Sequence, residues 1–239
     1  MLVISFYEEI DLIAAIVPAH NEEDQIVTCL AALRVAAGDP ALQGEQTIVV
    51  VALDACTDNT RSLAQRMGVT TIALEARNVG AARALGAELA LAAGARWLAF
   101  TDADTQVAPD WISTQLALKC EVVCGTVAVR DWSTGDNHLR RHHGMNYTDA
   151  DGHRQMHGAN FGISARAYEG AGGFRALENG DDVALVAALE ARGASIAWSA
   201  TPRVYSNVRR VVRAPSALGV KLDRVANESR VRQVAESRA

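Results

Sequence analysis

Two aspartates in the sequence have a spacing that suits metal chemistry. Asp102 and Asp104 stand two residues apart after the apolar run RWLAFT, and in extended geometry both carboxylates project to the same side. Such a pair suits Mg²⁺ or Mn²⁺, with phosphate oxygens and water completing the shell. The implied ligand is a phosphate ester, and the alternative is a solvated turn whose aspartates cap the next helix.

Further polar residues follow predicted strands or begin predicted helices. Asp181 and Asp182 precede the stretch VALVAALEA, where they could supply a catalytic base or cap the helix. Asp54 ends an apolar run and could accept hydrogen bonds from a nucleobase or ribose. Exposed N–H groups and guanidiniums at another helix start could receive an anion, although a surface charge is the stronger interpretation of Arg83. The other candidates are Asn21 and Glu22, which could instead cap a helix, and Arg77 and Asn78.

An α/β fold would position these residues. Short β-branched runs alternate with Ala/Leu-rich stretches, which predicts a mostly parallel sheet with helices on both faces. Ligands bind such sheets beyond the carboxyl ends of the strands, where the candidate residues lie. The predicted strands are 12–17, 47–53, 70–74 and 96–101, and the predicted helices begin near 22 and 58 and cover about 79–93.

The second half of the chain is less regular. We predict a helix from Pro109 to about Lys119 and then the strand EVVCGTVAVR, with a helix at about 181–192 and a strand at 194–199 after them. Five of the six histidines lie in a polar stretch at 131–157, whose spacing matches no zinc pattern. A solvated loop is the favoured interpretation.

Composition excludes several classes of protein. The chain has 239 residues, 49% hydrophobic and 21% charged, which is typical of a folded domain. The net charge of -5 argues against a nucleic-acid binder. Four irregularly spaced cysteines indicate a reducing compartment, and no stretch approaches the roughly 18 apolar residues of a membrane span. We therefore expect a cytoplasmic protein.

The C-terminal end is basic. Residues 203–239 contain nine Arg/Lys and three Asp/Glu, and we predict a turn followed by one amphipathic helix there. This helix could contact a membrane surface or pack against a second subunit in a homodimer.

In this order, the segments resemble the family 2 glycosyltransferases. The family has the A-type nucleotide-diphospho-sugar transferase fold, whose nucleotide-binding half is Rossmann-like. The matching stretches are IVPAHNEE, VVVALDACTDNT, RNVGAARALG, FTDADTQVAPDWI, GANFGISARAYEGAGGF and GDDVALVAALEARG, which together cover about residues 12–200.

The resemblance implies metal-dependent, inverting transfer of one sugar from a nucleotide-diphospho-sugar to a hydroxyl acceptor, with Mn²⁺ or Mg²⁺. It implies a single domain, 1–239, with a nucleotide-sugar-binding half at about 10–104, an acceptor half at about 105–206 and a basic helical tail at 207–239.

The resemblance also implies roles for single residues. Asp54 would contact the nucleotide, Asp102 and Asp104 the metal and donor, and Asp182 or Asp181 would be the base. We predict Asp182 as the base, with Asp181 supporting it or binding acceptor. Further expected contacts are Pro18, His20, Asn21, Glu22, Arg77, Asn78, Arg83 and Ala103 for the donor, Trp132, His157 and Asn160 for the acceptor, and Arg209 and Arg210 for the diphosphate.

Two positions depart from the family pattern. Leu53–Asp54 replaces the usual acidic pair on the second strand, which leaves base selectivity open. The family's late Glu-Asp pair is Asp181–Asp182 here, which leaves its register open by one residue. These departures also permit an inactive nucleotide-sugar-binding module.

A phosphohydrolase of the haloacid dehalogenase type is the other alternative. Asp102 would then be the nucleophile and Asp104 the acid/base, with Asp181 and Asp182 as metal ligands. That family begins with its D-x-D strand, whereas three strand-helix units come first here. It also needs a lysine between the acidic motifs, and only Lys119 lies there.

Overall fold

The first strand, β1 (Leu12–Ala19), is buried along its whole length in the computed structural model, which describes residues 11–131 and 148–207. Residues of β1 alternate between two apolar clusters: the odd-numbered residues 13–19 join one, and the even-numbered residues 12–16 join the other. Because successive side chains of a strand point to opposite faces, β1 contributes to a core on each side of the sheet.

Most predicted elements are present within two residues. The helix expected near residue 22 begins at Ile26, after a turn in which the Glu22 carbonyl accepts hydrogen bonds from the Gln25 and Ile26 N–H groups. The remaining strands are β2 (Gln46–Asp54), β3 (Thr70–Leu74), β4 (Ala95–Phe100), β5 (Thr105–Val107), β6 (Val122–Asp131), β7 (Phe161–Ser164) and β8 (Ile196–Asn207). The helices are α1 (Ile26–Ala37), α2 (Thr60–Arg66), α3 (Val79–Ala92), α4 (Trp111–Ala117), α5 (Ala165–Ala171) and α6 (Asp181–Ala191), with a 3₁₀ turn at Pro40–Leu42.

Within the described residues, the eight strands form one sheet in the order β3-β2-β1-β4-β7-β6-β8-β5. Strands β1 to β4 pair in parallel, whereas β7 is antiparallel to both β4 and β6. The order reverses at β1, since β2 and β3 lie on one side and β4 on the other. The carboxyl ends of β1 and β4 therefore flank a topological switch point, the place where open α/β sheets bind ligands.

The predicted α/β architecture, with helices on both faces, is confirmed. Neither β5 nor β7 was predicted as a strand, and hydrophobic periodicity does not give the antiparallel pairing of β7. Trp132, Arg209 and Arg210, with the tail at 208–239, lie outside the described residues. Within the described part of the chain, no helix combines the length and hydropathy needed to cross a membrane.

Asn160 corrects one site prediction. Its side chain is 0% exposed, and its Oδ1 accepts a hydrogen bond of 2.8 Å from Trp111 Nε1. Its Nδ2 donates to the carbonyls of Thr126 and Pro202 at 2.7 and 2.8 Å. All its polar atoms are thus used to join α4, β6 and β8, so Asn160 stabilises the core and the predicted acceptor contact is wrong for its side chain.

His153 corrects the expectation of a fully solvated histidine loop. It is buried, and its Nε2 lies 3.0 Å from the Cys124 carbonyl. The Gln155 N–H donates to its Nδ1 at 3.0 Å, which leaves Nε2 as the protonated nitrogen. Its ring also packs edge-on against Trp198 of β8. His153 therefore binds the segment before β7 to the strands β6 and β8.

Gly125 should tolerate no side chain because Asn160 lies against it. A Cβ at Gly125 would come within 2.1 Å of Asn160 Nδ2, and the amide cannot yield without losing its hydrogen bonds. We expect Gly125→Ala to lower the free energy of unfolding by about 2 kcal/mol, measured by urea denaturation. Gly38→Ala is the matched control, since its Cβ would meet only ordinary contacts of 3.5 Å and beyond. Equal stability of the two variants would contradict the role of Asn160.

Candidate functional site

The loops after β1 and β2 bind each other at the carboxyl edge of the sheet. His20 Nδ1 lies 2.6 Å from the Asp54 carbonyl, and Asn21 Oδ1 accepts hydrogen bonds from the Thr57 and Asp58 N–H groups. Asn21 has a φ of 52°, a left-handed conformation that asparagine tolerates better than most residues. The predicted donor residues His20 and Asn21 therefore first shape the loops that line the site.

Asp58 connects the same two loops. Its Oδ2 accepts from the Glu23 N–H at 3.1 Å, and its Oδ1 accepts from the Thr60 N–H and hydroxyl. Burial raises the pKa of this carboxyl, but these hydrogen bonds outweigh it and hold the pKa below its ordinary value. Glu22 contacts the start of α2, since its N–H donates to the Thr60 hydroxyl at 2.7 Å.

The carboxylate of Asp54 organises the turn before α3. It is buried, and it accepts hydrogen bonds from three successive backbone N–H groups: Ala76 and Arg77 at 2.8 Å on Oδ1, and Asn78 at 2.6 Å on Oδ2. These contacts use most of the lone pairs that a carboxylate offers. The predicted nucleotide contact by Asp54 stays a prediction, and the side chain has a structural role beside it.

Asn78 and Arg77, which were both predicted to receive an anion at the start of α3, differ in their surroundings. Asn78 caps α3, since its Oδ1 accepts from the Ala81 N–H at 2.8 Å, and its Nδ2 donates to the Leu177 carbonyl at 2.7 Å. Both polar atoms of Asn78 therefore have protein partners. Arg77 is exposed, with a φ of 48°, and its donor contact stays a prediction.

Arg83 is not the surface charge that the sequence favoured. It is 5% exposed, and its guanidinium forms two ion pairs, Nη2 with Asp102 Oδ1 at 2.8 Å and Nη1 with Asp181 Oδ2 at 2.9 Å. Burial works against its charge, but the two carboxylates outweigh this and raise the pKa of Arg83 above its ordinary value. The fold thus brings the two predicted acidic motifs to one cation.

The positions of the buried residues in α3 indicate that Arg83 is also buried. Gly80, Ala87 and Ala90 lie three residues before and four and seven residues after Arg83, and all three are buried. Residues at this spacing share one face of a helix, so Arg83 belongs to the face that packs on the sheet.

Asp182 lies beside this cluster and differs from its neighbour Asp181. Its Oδ2 accepts a hydrogen bond from the Gly158 N–H at 3.0 Å, and its Oδ1 accepts from the Val183 N–H. Burial raises the pKa of the Asp182 carboxyl; the charge of Arg83 lowers it in part, and that of Asp181 raises it again. A carboxylate with a raised pKa is suited to take a proton.

The first acidic motif is a turn rather than an extension of β4. The Thr105 N–H donates to the Asp102 carbonyl at 3.1 Å, and we call Asp102–Thr105 the acidic turn. Ala103 is buried inside it, whereas Asp102 and Asp104 are partly exposed on either side. The Cys29 thiol from α1 also lies 3.5 Å from the Asp102 carbonyl, and burial raises the pKa of that thiol.

The donor set of the acidic turn fits a metal that a substrate helps to hold. In residues 11–131 and 148–207, no group of three or more His, Cys, Asp and Glu side chains could hold a metal by itself. Mg²⁺ needs only one or two carboxylates when phosphates and water supply the rest. Asp102 Oδ1 accepts one N–H hydrogen bond from Arg83, and the carboxylate retains capacity for a second partner.

The structure also describes two other predicted residues, Pro18 and His157. Pro18 is buried in β1, beyond the last pair of β1 with β4, Ile16 with Phe100. His157 is half-buried and directly precedes Gly158, which donates to Asp182, so its acceptor contact stays a prediction.

Comparison with known proteins decides the family. Residues 14–179, more than half of the chain, match the family described as Glycosyl transferase family 2. The chain belongs to this family. The family resemblance is confirmed, and it favours the glycosyltransferase interpretation over the phosphohydrolase. No curated protein matches the sequence.

Two solved structures share the fold of this family 2 member at low sequence identity. TarS 1–349 from S. aureus, in complex with UDP-GlcNAc, has a TM-score of 0.64 and 16% identity, covering 83% of this chain and 59% of that chain. The mannosyltransferase PcManGT from Pyrobaculum calidifontis, in complex with GDP-Man and Mn²⁺, has a TM-score of 0.60 and 19% identity, covering 83% and 57%. The chain thus spans less than two thirds of either protein, and the likeness shows the A-type fold.

Asp54 offers a test of its structural role. Asn at this position loses the charge and replaces one acceptor oxygen by an N–H₂ group, which faces backbone donors. We expect Asp54→Asn to lower the free energy of unfolding by about 2 kcal/mol, measured by urea denaturation. The exposed Asp110, which caps α4 without a side-chain hydrogen bond, gives the control Asp110→Asn. An unchanged free energy for Asp54→Asn would contradict the assignment.

Proposed function

We propose that this protein is a metal-dependent, inverting glycosyltransferase that moves one sugar from a nucleotide-diphospho-sugar to an acceptor hydroxyl. One observation carries the proposal: the carboxylate of Asp182, with its raised pKa, lies beside the ion-paired cluster that contains Asp102. A proton acceptor and a donor-side carboxylate thus meet at the switch point of the sheet. Family membership and the nucleotide-sugars bound by TarS and PcManGT support it.

On the donor side, the acidic turn and the loops after β1 and β2 would receive the nucleotide-sugar. Asp102 and Asp104 would hold Mn²⁺ or Mg²⁺ together with diphosphate oxygens. The ion would offset the charge that develops on the departing diphosphate. Arg77, at the exposed edge, would add a guanidinium on the phosphate side.

On the acceptor side, Asp182 would remove the proton of the attacking hydroxyl. Two backbone N–H groups, of Gly158 and Val183, fix the orientation of its carboxylate. Asp181 is less suited, because its Oδ2 is already occupied by the ion pair with Arg83. A single base and a leaving diphosphate suffice for inversion, since no enzyme nucleophile is required.

The experiment that tests the function has two stages. A thermal-shift screen of UDP, GDP, CDP and TDP, with and without Mn²⁺, identifies the nucleotide that binds the folded state. Nucleotide-sugars of that base are then assayed for release of the nucleoside diphosphate with added acceptors. Tight binding without turnover across a broad panel of donors and acceptors would indicate the inactive binding module instead.

Asp182→Asn should separate chemistry from binding. We expect kcat to fall by about 10²–10⁴-fold, because the amide cannot take the proton, while binding of the nucleoside diphosphate stays unchanged. Glu190→Gln, an exposed change on the same helix, is the control. Wild-type turnover in Asp182→Asn would exclude it as the base.

The raised pKa of Asp182 also gives a pH dependence. The base acts only when deprotonated, so kcat should fall as the pH drops through its pKa, which lies above the ordinary value of 3.8. We expect the acidic limb of the kcat profile above that value, measured with saturating donor. A kcat that stays constant down to pH 4 would contradict the assignment.

Asp104→Asn should weaken the metal-dependent part of nucleotide binding. Loss of groups that merely orient a metal ligand costs about 10–100-fold in affinity, so loss of a ligand should cost at least tenfold. Calorimetric titration of the nucleoside diphosphate with and without Mn²⁺ measures this, again with Asp110→Asn as control. A Mn²⁺ effect equal to that of the wild type would exclude Asp104 as a ligand.

A further inference from the structure

The guanidinium of Arg83 lies between two parts of the proposed site that are distant in sequence. One arm binds Asp102 in the acidic turn, and the other binds Asp181 in the first turn of α6, at 2.8 and 2.9 Å. Both arms make charge-assisted hydrogen bonds as well as ion pairs. The donor side and the acceptor side are therefore joined through one side chain.

The surroundings of Arg83 permit little movement. A Cβ at Gly158 would lie 2.4 Å from the Arg83 Cζ, so the backbone of Gly158 rests directly against the guanidinium. The Arg83 Cζ lies over the ring of Phe174, 5.6 Å from the ring centroid, which is a cation–π contact. In the described part of the chain, Arg83 Nε has no hydrogen-bond acceptor, so the two carboxylates alone orient the guanidinium by hydrogen bonds.

We propose that Arg83 is a positioning residue for the transfer reaction: by holding Asp102 and Asp181 at once, it sets the first turn of α6, and with it Asp182, against the acidic turn. This inference rests on the proposed function, in which Asp182 is the base. The geometry requires an arginine, because its planar fork can serve two carboxylates in fixed directions, whereas a lysine is a point charge.

The charge of Arg83 also acts on the base. The charged groups that act on Asp182 are Arg83 from α3 and Asp181 from its own helix, and Asp182 in turn acts on the Cys124 thiol in β6. Arg83 lowers the pKa of Asp182, against burial and Asp181. Loss of its charge should raise that pKa, so a larger share of the base is protonated near neutral pH.

The central experiment compares Arg83→Met and Arg83→Lys with the wild type. Arg83→Met should lower kcat on the order of 10²-fold, since a displacement of about 1 Å can cost that much, and should move the acidic limb of the kcat profile to higher pH. Arg83→Lys should restore the position of that limb but not kcat, because it returns the charge without the two-armed geometry. Arg166→Met, which removes an exposed arginine paired with Glu121, is the matched control.

Either of two results with the Arg83 variants would overturn the proposal. Arg83→Met with wild-type kcat and an unmoved acidic limb would exclude any positioning role. Arg83→Lys with wild-type kcat would show that the charge alone suffices. If Arg83→Met fails to fold, Gly158→Ala replaces it, because the added Cβ displaces the guanidinium without removing its charge. We expect Gly158→Ala to lower kcat on the order of 10²-fold. An unchanged kcat in this variant would count against the proposal.

A second measurement separates this inference from the proposed function. The double-mutant cycle of Asp102→Asn and Asp181→Asn, measured by urea unfolding, should show a coupling of about fivefold or more in the unfolding constant. The coupling should vanish in the Arg83→Lys background. If the wild type transfers no sugar, the proposed function fails, while the cycle still shows whether Arg83 joins the two turns; an absent coupling overturns the link itself.

Discussion

The ion pairs of Arg83 are the constraint on which the site depends. A charge in the protein interior is costly unless it is paired and hydrogen-bonded, so α3, the acidic turn and α6 must take positions that satisfy this guanidinium. Its partners Asp102 and Asp181 come from elements that follow different strands of the sheet. Asp182 lies next to these ion pairs, and burial raises its pKa.

The loops at the carboxyl edge of the sheet satisfy much of their backbone with their own side chains. Asp54 accepts three N–H groups, Asn21 accepts two, and Asn78 caps α3. Buried backbone donors need such partners, and short polar side chains after strands provide them. A polar residue at a strand end therefore often stabilises the following loop by accepting hydrogen bonds from its backbone N–H groups. The loop in turn forms part of the surface at the carboxyl edge of the sheet.

The comparisons separate what the fold determines from what it leaves variable. TarS and PcManGT share the fold with this chain at 16% and 19% identity, although one was solved with UDP-GlcNAc and the other with GDP-Man. One sheet thus accommodates donors that differ in both base and sugar. Because function lies in sites built onto a fold, the shared sheet does not by itself specify a donor or an acceptor.

The amino-acid sequence by itself determined most of the strands and helices, the family and the acidic motifs, because hydrophobic periodicity and short motifs are local properties of a chain. Only the tertiary structure decided the parts played by Arg83, Asn160 and His153. Arg83 looks like a surface charge until two distant carboxylates surround it, and Asn160 looks like an acceptor contact until α4, β6 and β8 use all its polar atoms. Burial and pairing come from residues far apart in sequence, so no local pattern contains them.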